Sequence, residues 1–270
     1  MLPGPDKVIV CPSCKGLETY LTLYSFTEIR PYTWTDGFRI SMQRPRPPGI
    51  VKCGQCSYVY WLKDAEVIGE VPLWGGTTSS PGWHKAEHVV EPSETDYYAA
   101  LASGLGRTPE EERSARVLGW WKSNEPLRGD IVTQVYKSWN FSPVRENAGR
   151  RVRHEIGTWN LDPPTRQANM ELLLALLDMS NAGDRLMKAE VLRQLGRFDE
   201  ALAALRNVGS EEASWIVDQV RPLCEEEDQL VRLLDQSHRP NPFEAFEARR
   251  TKPEGKKGSL LWRWRKRHNR

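Results

Sequence analysis

No stretch of this chain approaches the roughly 18 uninterrupted apolar residues of a membrane span, and Met1-Leu2-Pro3-Gly4-Pro5-Asp6 has neither the basic nor the apolar part of a secretory signal. The expectation is a cytoplasmic chain, neither exported nor inserted. Catalytic signatures are missing as well: there is no phosphate-binding glycine loop, no nucleophile elbow and no paired general acid and base. His84 and His88 have helical spacing, but Lys85 stands where a zinc-protease helix carries glutamate, so the pair reads as structural or solvated. His154-Glu155 has no nucleophile motif beside it and is assigned no chemistry. No residue receives a catalytic role, no small-molecule substrate is evident, and the chain reads as a non-enzyme.

Cysteine is sparse, five residues in 270, yet four of them form two CxxC pairs, Cys11-Pro12-Ser13-Cys14 and Cys53-Gly54-Gln55-Cys56. Two thiolates so spaced wrap onto one ion, and a second pair completes a tetrahedron with no position left for water. That pattern points to structural metal, with Cys11, Cys14, Cys53 and Cys56 holding one Zn2+ per chain. Redox dithiols of the thioredoxin kind occur near a βαβ pattern, and none is visible. The fifth, Cys224, lies among helical apolar positions and reads as a small buried hydrophobe. Strand-like runs, Val8-Ile9-Val10 and Ile50-Val51-Lys52, lead into the two pairs. On these residues the N-terminal third resembles a zinc ribbon, a fold found in nucleic-acid-binding proteins and in purely structural modules. A segment this small needs help to fold, and structural zinc supplies roughly 10–16 kcal/mol of apparent binding energy.

The pairs are separated by 38 residues, more than the roughly 15–20 of the commonest spacing, and the excess reads as an inserted hairpin. Tyr20–Phe26 reads as a strand. Tyr32-Thr33-Trp34-Thr35 and Phe38-Arg39-Ile40-Ser41 flank Asp36-Gly37, a two-residue turn signal. Tyr58–Leu62 continues as an aromatic strand, on which Glu66–Val71 is expected to pair back. From Pro72 to Pro92, Gly75-Gly76, Pro81-Gly82 and a Thr/Ser run mark a connecting loop.

Helical signals follow. Ser93-x-x-Asp96 resembles a capping box, and Thr108-Pro109-Glu110-Glu111 opens a helix to about Trp121. Trp120 and Trp121 diverge by about 100° on that helix and read as packed between helices or against the ribbon. A helix is expected over Gly129–Trp139, and another buries Met170, Leu173, Leu174 and Leu177 on one face. Asp184 caps the next, which Gly196 stops. A short helix from Asp199 turns Ala201, Leu202, Leu205 and Val208 inward. Through Gly196, Phe198 and Ala201 the run Ala189–Leu202 resembles the centre of a tetratricopeptide repeat. The likeness covers about one repeat of roughly 34 residues, with Arg185 at the family's upstream tryptophan position. It implies one packed helical hairpin rather than a solenoid. Ser210–Arg221 then turns Ala213, Ile216, Val217 and Val220 inward, Pro222 interrupts, and a last helix through Leu230, Leu233 and Leu234 is expected to end near Gln236.

Composition is that of an ordinary globular protein, 39% hydrophobic and 27% charged, and 270 residues suit two modest domains. Net charge is +2, but Arg249–Arg270 holds ten Lys/Arg against Glu254 alone, a net of +9, leaving 28 basic and 35 acidic residues elsewhere. The tail motif Trp262-Arg263-Trp264-Arg265-Lys266-Arg267 interleaves rings with cations, which suits stacking on nucleic acid or seating at an anionic membrane surface. The fold expected is α+β: residues 1–72 a small β zinc ribbon with an inserted β-hairpin, 73–92 a connecting loop, 93–236 an all-α domain with the tetratricopeptide-like hairpin, and 237–270 a basic, disordered tail. This combination resembles bacterial proteins that join a zinc ribbon to helical repeats. The function expected is a non-catalytic, zinc-binding cytoplasmic scaffold or adaptor that binds a protein partner through its helices. The alternative is a nucleic-acid-binding regulator acting through ribbon and tail.

Overall fold

Two β-hairpins turn on the two cysteine pairs. A computed structural model describes residues 2–25, 31–41, 49–72, 80–129, 131–132, 134–135, 163–206, 208 and 211–238. The chain divides into Met1–Gln236 and Ser237–Arg270, and the architecture below belongs to the first of these. It is α+β, with strands toward the N-terminus and helices after them.

A short pair, β1 (Leu2–Pro3) with β4 (Leu23–Ser25), flanks the first hairpin of β2 (Asp6–Val10) and β3 (Leu17–Tyr20). Val10 faces Leu17 across the Cys11–Gly16 turn. In the inserted segment β5 (Tyr32–Thr33) pairs antiparallel with β6 (Arg39–Ile40). The second cysteine hairpin is β7 (Ile50–Lys52) with β8 (Val59–Trp61). β9 (Glu66–Val71) and β10 (Glu87–His88) complete a four-stranded sheet of order β10-β3-β2-β9.

Three expectations about strands change here. Glu66–Val71 pairs with β2 rather than with β8, because a 3-10 turn at Leu62–Asp64 redirects the chain. The strand expected over 20–26 begins at Leu17 and breaks after Tyr20, where Thr22 Oγ1 donates to Pro5 O and its carbonyl accepts from Gly4 N; Phe26 lies outside the described residues. The Asp36-Gly37 turn has three loop residues rather than two. Gly37 N donates to Trp34 O, Trp34 N to Phe38 O, and Gly37 is left-handed at φ 77°, the type I turn plus bulge of three-residue hairpins.

The helices pack in succession. α1 (Glu94–Ala102) starts in a complete capping box between Ser93 and Asp96, and Thr108 Oγ1 caps α2 (Pro109–Ser123) through Glu111 N. Beyond Arg128 the described residues 129, 131–132 and 134–135 are helical; the remainder of the helix expected to Trp139 lies outside the described residues. α3 (Pro163–Ala175) buries Leu173 completely. α4 (Ala182–Gln194) is capped by Asn181, not by Asp184: the Asp184 carboxylate turns back to Asp178 N and pairs with Arg113. α4 ends with Arg197 N bonded to Leu192 O and Gly196 N to Arg193 O, with Gly196 left-handed at φ 75°, a closure that glycine allows at no steric expense. α5 (Phe198–Arg206) folds back on α4, and Ala201 is fully buried in a cluster with Ala189, Leu192 and Leu205.

α6 (Glu211–Glu225) runs through Pro222 instead of stopping before it, although proline has no N–H to give to the carbonyl four residues back. It ends where Asp228 N meets Leu223 O and Glu227 N meets Cys224 O, Glu227 being left-handed at φ 55°. The last helix expected through Leu230–Leu234 is absent. That segment is extended along the inserted hairpin: Leu233 bridges Trp34, Thr35 N donates to Arg232 O and Leu234 N to Thr33 O. No helix among the described residues is long and apolar enough to cross a membrane.

The inserted hairpin is plugged among helices by polar contacts. Asp36, 2% exposed, takes Asn124 Nδ2 at 3.0 Å, Arg128 Nη2 and its neighbour Phe38 N at 3.0 Å on its carboxylate. Its backbone carbonyl accepts Trp121 Nε1 at 2.8 Å. Thr35 Oγ1 donates to Glu190 at 2.7 Å and accepts from Arg193, a buried ion pair on α4. Trp120 is buried with Nε1 on Gln194, and Trp121 is half-buried against Phe38 of the inserted hairpin.

Candidate metal centre

The two cysteine turns are built alike. Cys11 N donates to Gly16 O at 2.9 Å and Lys15 N to Cys11 O at 3.1 Å; Cys53 N donates to Tyr58 O at 2.9 Å and Ser57 N to Cys53 O at 3.0 Å. The residue four past each leading cysteine is left-handed, Lys15 at φ 62° and Ser57 at φ 61°. This wrapping aims amides at sulfur. The N–H groups of Ser13 and Cys14 point to Cys11, those of Gln55 and Cys56 to Cys53, and that of Tyr58 to Cys56.

Cys11 Sγ and Cys56 Sγ are 3.8 Å apart, Cys14 Sγ and Cys53 Sγ are 3.7 Å apart, and all four sulfurs lie within 4.8 Å of one another. A tetrahedron with metal–sulfur bonds of about 2.3 Å has edges of about 3.8 Å, whereas a disulfide needs about 2.05 Å. The four thiols are free of disulfides and can hold a metal ion. The leading cysteines, Cys11 and Cys53, are fully buried with Ile9, Val51 and Tyr60, while Cys14 and Cys56 face solvent. Burial pushes the Cys11 and Cys53 thiols up. The Tyr58 amide leads the pull that brings Cys56 down to about 7. A cation bound among the four sulfurs would hold all four as thiolates.

No protein-family model, curated protein or solved structure matches this chain.

The four predicted cysteines are thus brought together. The predicted tail residues Trp262, Arg263, Trp264, Arg265, Lys266 and Arg267 lie outside the described residues, as does His154. His84 and His88 share no helix face: His84 is in a 3-10 turn, Pro81–Lys85, and His88 is on β10 with Nε2 3.3 Å from Asp6 and Nδ1 3.3 Å from Thr19 Oγ1. An open groove of about 290 Å³ runs past Tyr58 and Ser103, but its acids Asp64 and Asp96 are already paired with Arg107 and Lys52.

Two features around the cysteines have no counterpart in the sequence reading. Glu18, fully buried on β3, accepts Gly54 N at 2.8 Å and Tyr60 OH at 3.0 Å. Residues 87–90 form a clasp within the stretch expected to be loop. Glu87 and His88 pair parallel with Glu18 and Thr19, Val89 N donates to Thr19 O, and Val90 exchanges two backbone hydrogen bonds with Lys52. The segment therefore touches one strand of each cysteine hairpin.

Proposed function

We propose that this chain is a non-catalytic scaffold or adaptor of the reducing cytoplasm, organised around one structural zinc ion in a zinc ribbon and carrying a tetratricopeptide-like hairpin in α4–α5. The observation that carries the metal part is the cluster of four sulfurs within 4.8 Å of one another, two of the separations being 3.7 and 3.8 Å, with two of the sulfurs inside the core. Zinc is the ion of choice because four thiolates in a closed tetrahedron suit it and leave no site for a reacting water. Cys11 and Cys53 would bind from within and Cys14 and Cys56 from the solvent side; bound there, zinc supplies cross-linking and charge, not chemistry on a substrate. A reducing compartment keeps such thiols available. The adaptor part rests on helices packed in succession, which offer surface to a protein partner.

Elemental analysis should give one zinc per chain, and Cys53→Ser should lower it and loosen both hairpins; a metal-free protein with the same fold refutes the metal part. Crosslinks from the native host should map to the exposed faces of α3–α6. The +9 charge of residues 249–270 favours a second reading, a regulator binding nucleic acid, with an anionic membrane surface as its rival. Truncation after Ser259 removes five of the ten basic residues there and should then flatten the salt dependence of oligonucleotide binding, or weaken vesicle binding, while leaving the melting temperature nearly unchanged.

A further inference from the structure

We propose that Glu18 is a positioning residue of the metal centre, the side chain through which the first cysteine hairpin aligns the second. The inference rests on reading the four cysteines as a metal site. Each hairpin supplies two sulfurs, so the shape of the site depends on how one hairpin stands against the other. Yet among the described residues no strand of β2–β3 pairs with a strand of β7–β8. The backbone of residues 87–90 spans the gap on one side. Across it directly reach the Glu18 carboxylate, into the second hairpin, and Gln55 Nε2, back to Leu17 O at 3.3 Å from an exposed position.

The two bonds of Glu18 fall where they control the ligands. Gly54 N belongs to the peptide that follows Cys53, so the 2.8 Å bond to Oε1 fixes the rotation of the second turn about its buried sulfur. Tyr60, held by Oε2 at 3.0 Å, packs in the same cluster as Cys11 and Cys53. A fully buried carboxylate loses its hydration, and two hydrogen bonds offset that only in part. An apolar side chain would fill the space at less expense, so the carboxylate is explained by direction: two acceptor oxygens, one for the turn and one for the ring. In metal sites such outer partners orient the ligands, and their removal weakens metal binding by about 10–100-fold.

The test uses the full chain loaded with Zn2+, or with Co2+ for spectroscopy. Glu18→Ala should hand its metal to a chelator about 10–100-fold more readily and shift the Co2+ absorption bands. Glu18→Gln should restore both, because its carbonyl accepts from Gly54 N while its amide donates to the Tyr60 hydroxyl. Val8→Ala, fully buried on β2 but outside the cysteine cluster, should lower the melting temperature without moving spectrum or release. Native release and spectrum in Glu18→Ala overturn the proposal, as does a Gln variant as labile as the Ala one or a Val8→Ala variant equally labile. Should Glu18→Ala not fold, Tyr60→Phe decides: faster release with shifted bands supports the role, native behaviour overturns it. A native chain that takes up no metal refutes the metal reading itself, whereas one equivalent with a silent Glu18→Ala refutes only the positioning role.

Discussion

Replacing Asp36 by alanine should be among the most damaging single changes where the inserted hairpin meets the helices. The substitution removes the counter-ion of Arg128, whose side chain is 1% exposed, and strands Asn124 Nδ2 and Phe38 N without their acceptor. Arg128 keeps its bond to Trp121 O at 2.6 Å and its position 4.0 Å over the Phe38 ring. Neither supplies negative charge. Breaking a buried ion pair from one side costs about 3–5 kcal/mol, against a whole-domain stability of about 5–15 kcal/mol. The desolvated guanidinium, not the lost attraction, dominates that figure. It follows that Asp36→Ala with Arg128→Met should recover most of the loss, since apolar groups of similar volume replace buried pairs at little net cost. Urea unfolding followed by circular dichroism reads both, with the shift in midpoint at constant slope as the measure. A single variant that loses under about 1 kcal/mol, or a double variant less stable than the single one, would refute this account of the plug.

Ala201→Trp should overpack the α4–α5 crossing, where Ala201 is fully buried, and cost about 1–3 kcal/mol by the same unfolding measurement; an unchanged midpoint would place that residue at a looser contact. Burial raises the Asp96 carboxyl, but the Lys52 ammonium and the Ser93 donors outweigh it and hold the pKa below its ordinary value. That carboxylate therefore adds stability above an unfolded pKa of about 3.9, and the contribution disappears as pH falls through the lower folded value. Asp96→Asn should lose about 1 kcal/mol at pH 7 and converge with the native protein in acid, a pH series of midpoints being the check.

Much of the four-cysteine cluster was open to sequence reading, because CxxC spacing carries its own geometry and the strand-like runs Val8-Ile9-Val10 and Ile50-Val51-Lys52 identify the leading strands. The capping signals of Ser93 and Thr108 were equally direct, being local chemistry within four residues. What stayed hidden was long-range. Glu18 looks like any outward-facing acid on a strand until Gly54 and Tyr60, over thirty residues on, are placed against it. The clasp at 87–90 has too few residues to show a period, and its partners lie at positions 19 and 52. Leu230, Leu233 and Leu234 have helical spacing, yet Glu227 in a left-handed conformation ends α6 before them. The hairpin backbone then takes Leu234 N and Arg232 O, while Leu230 N turns to the Asp228 carboxylate and Leu230 O accepts from Arg193. Asp36 was legible as a turn residue but not as a buried one, since nothing local marks Arg128 as its partner.

The pairing of the inserted hairpin with the segment after α6 also sets a timetable. Thr35 and Arg232 are 197 positions apart, so a ribosome adding about 5–20 residues per second finishes the second partner about 10–40 seconds after the first. During that interval the Trp34 edge and the Asp36 carboxylate have been made but lack part of their seat. Nascent chains halted before Val231 should therefore be richer in chaperone contacts at residues 31–41 than chains released past Gln236, and shortening the protein from its C-terminal side should do its first harm near its N-terminus.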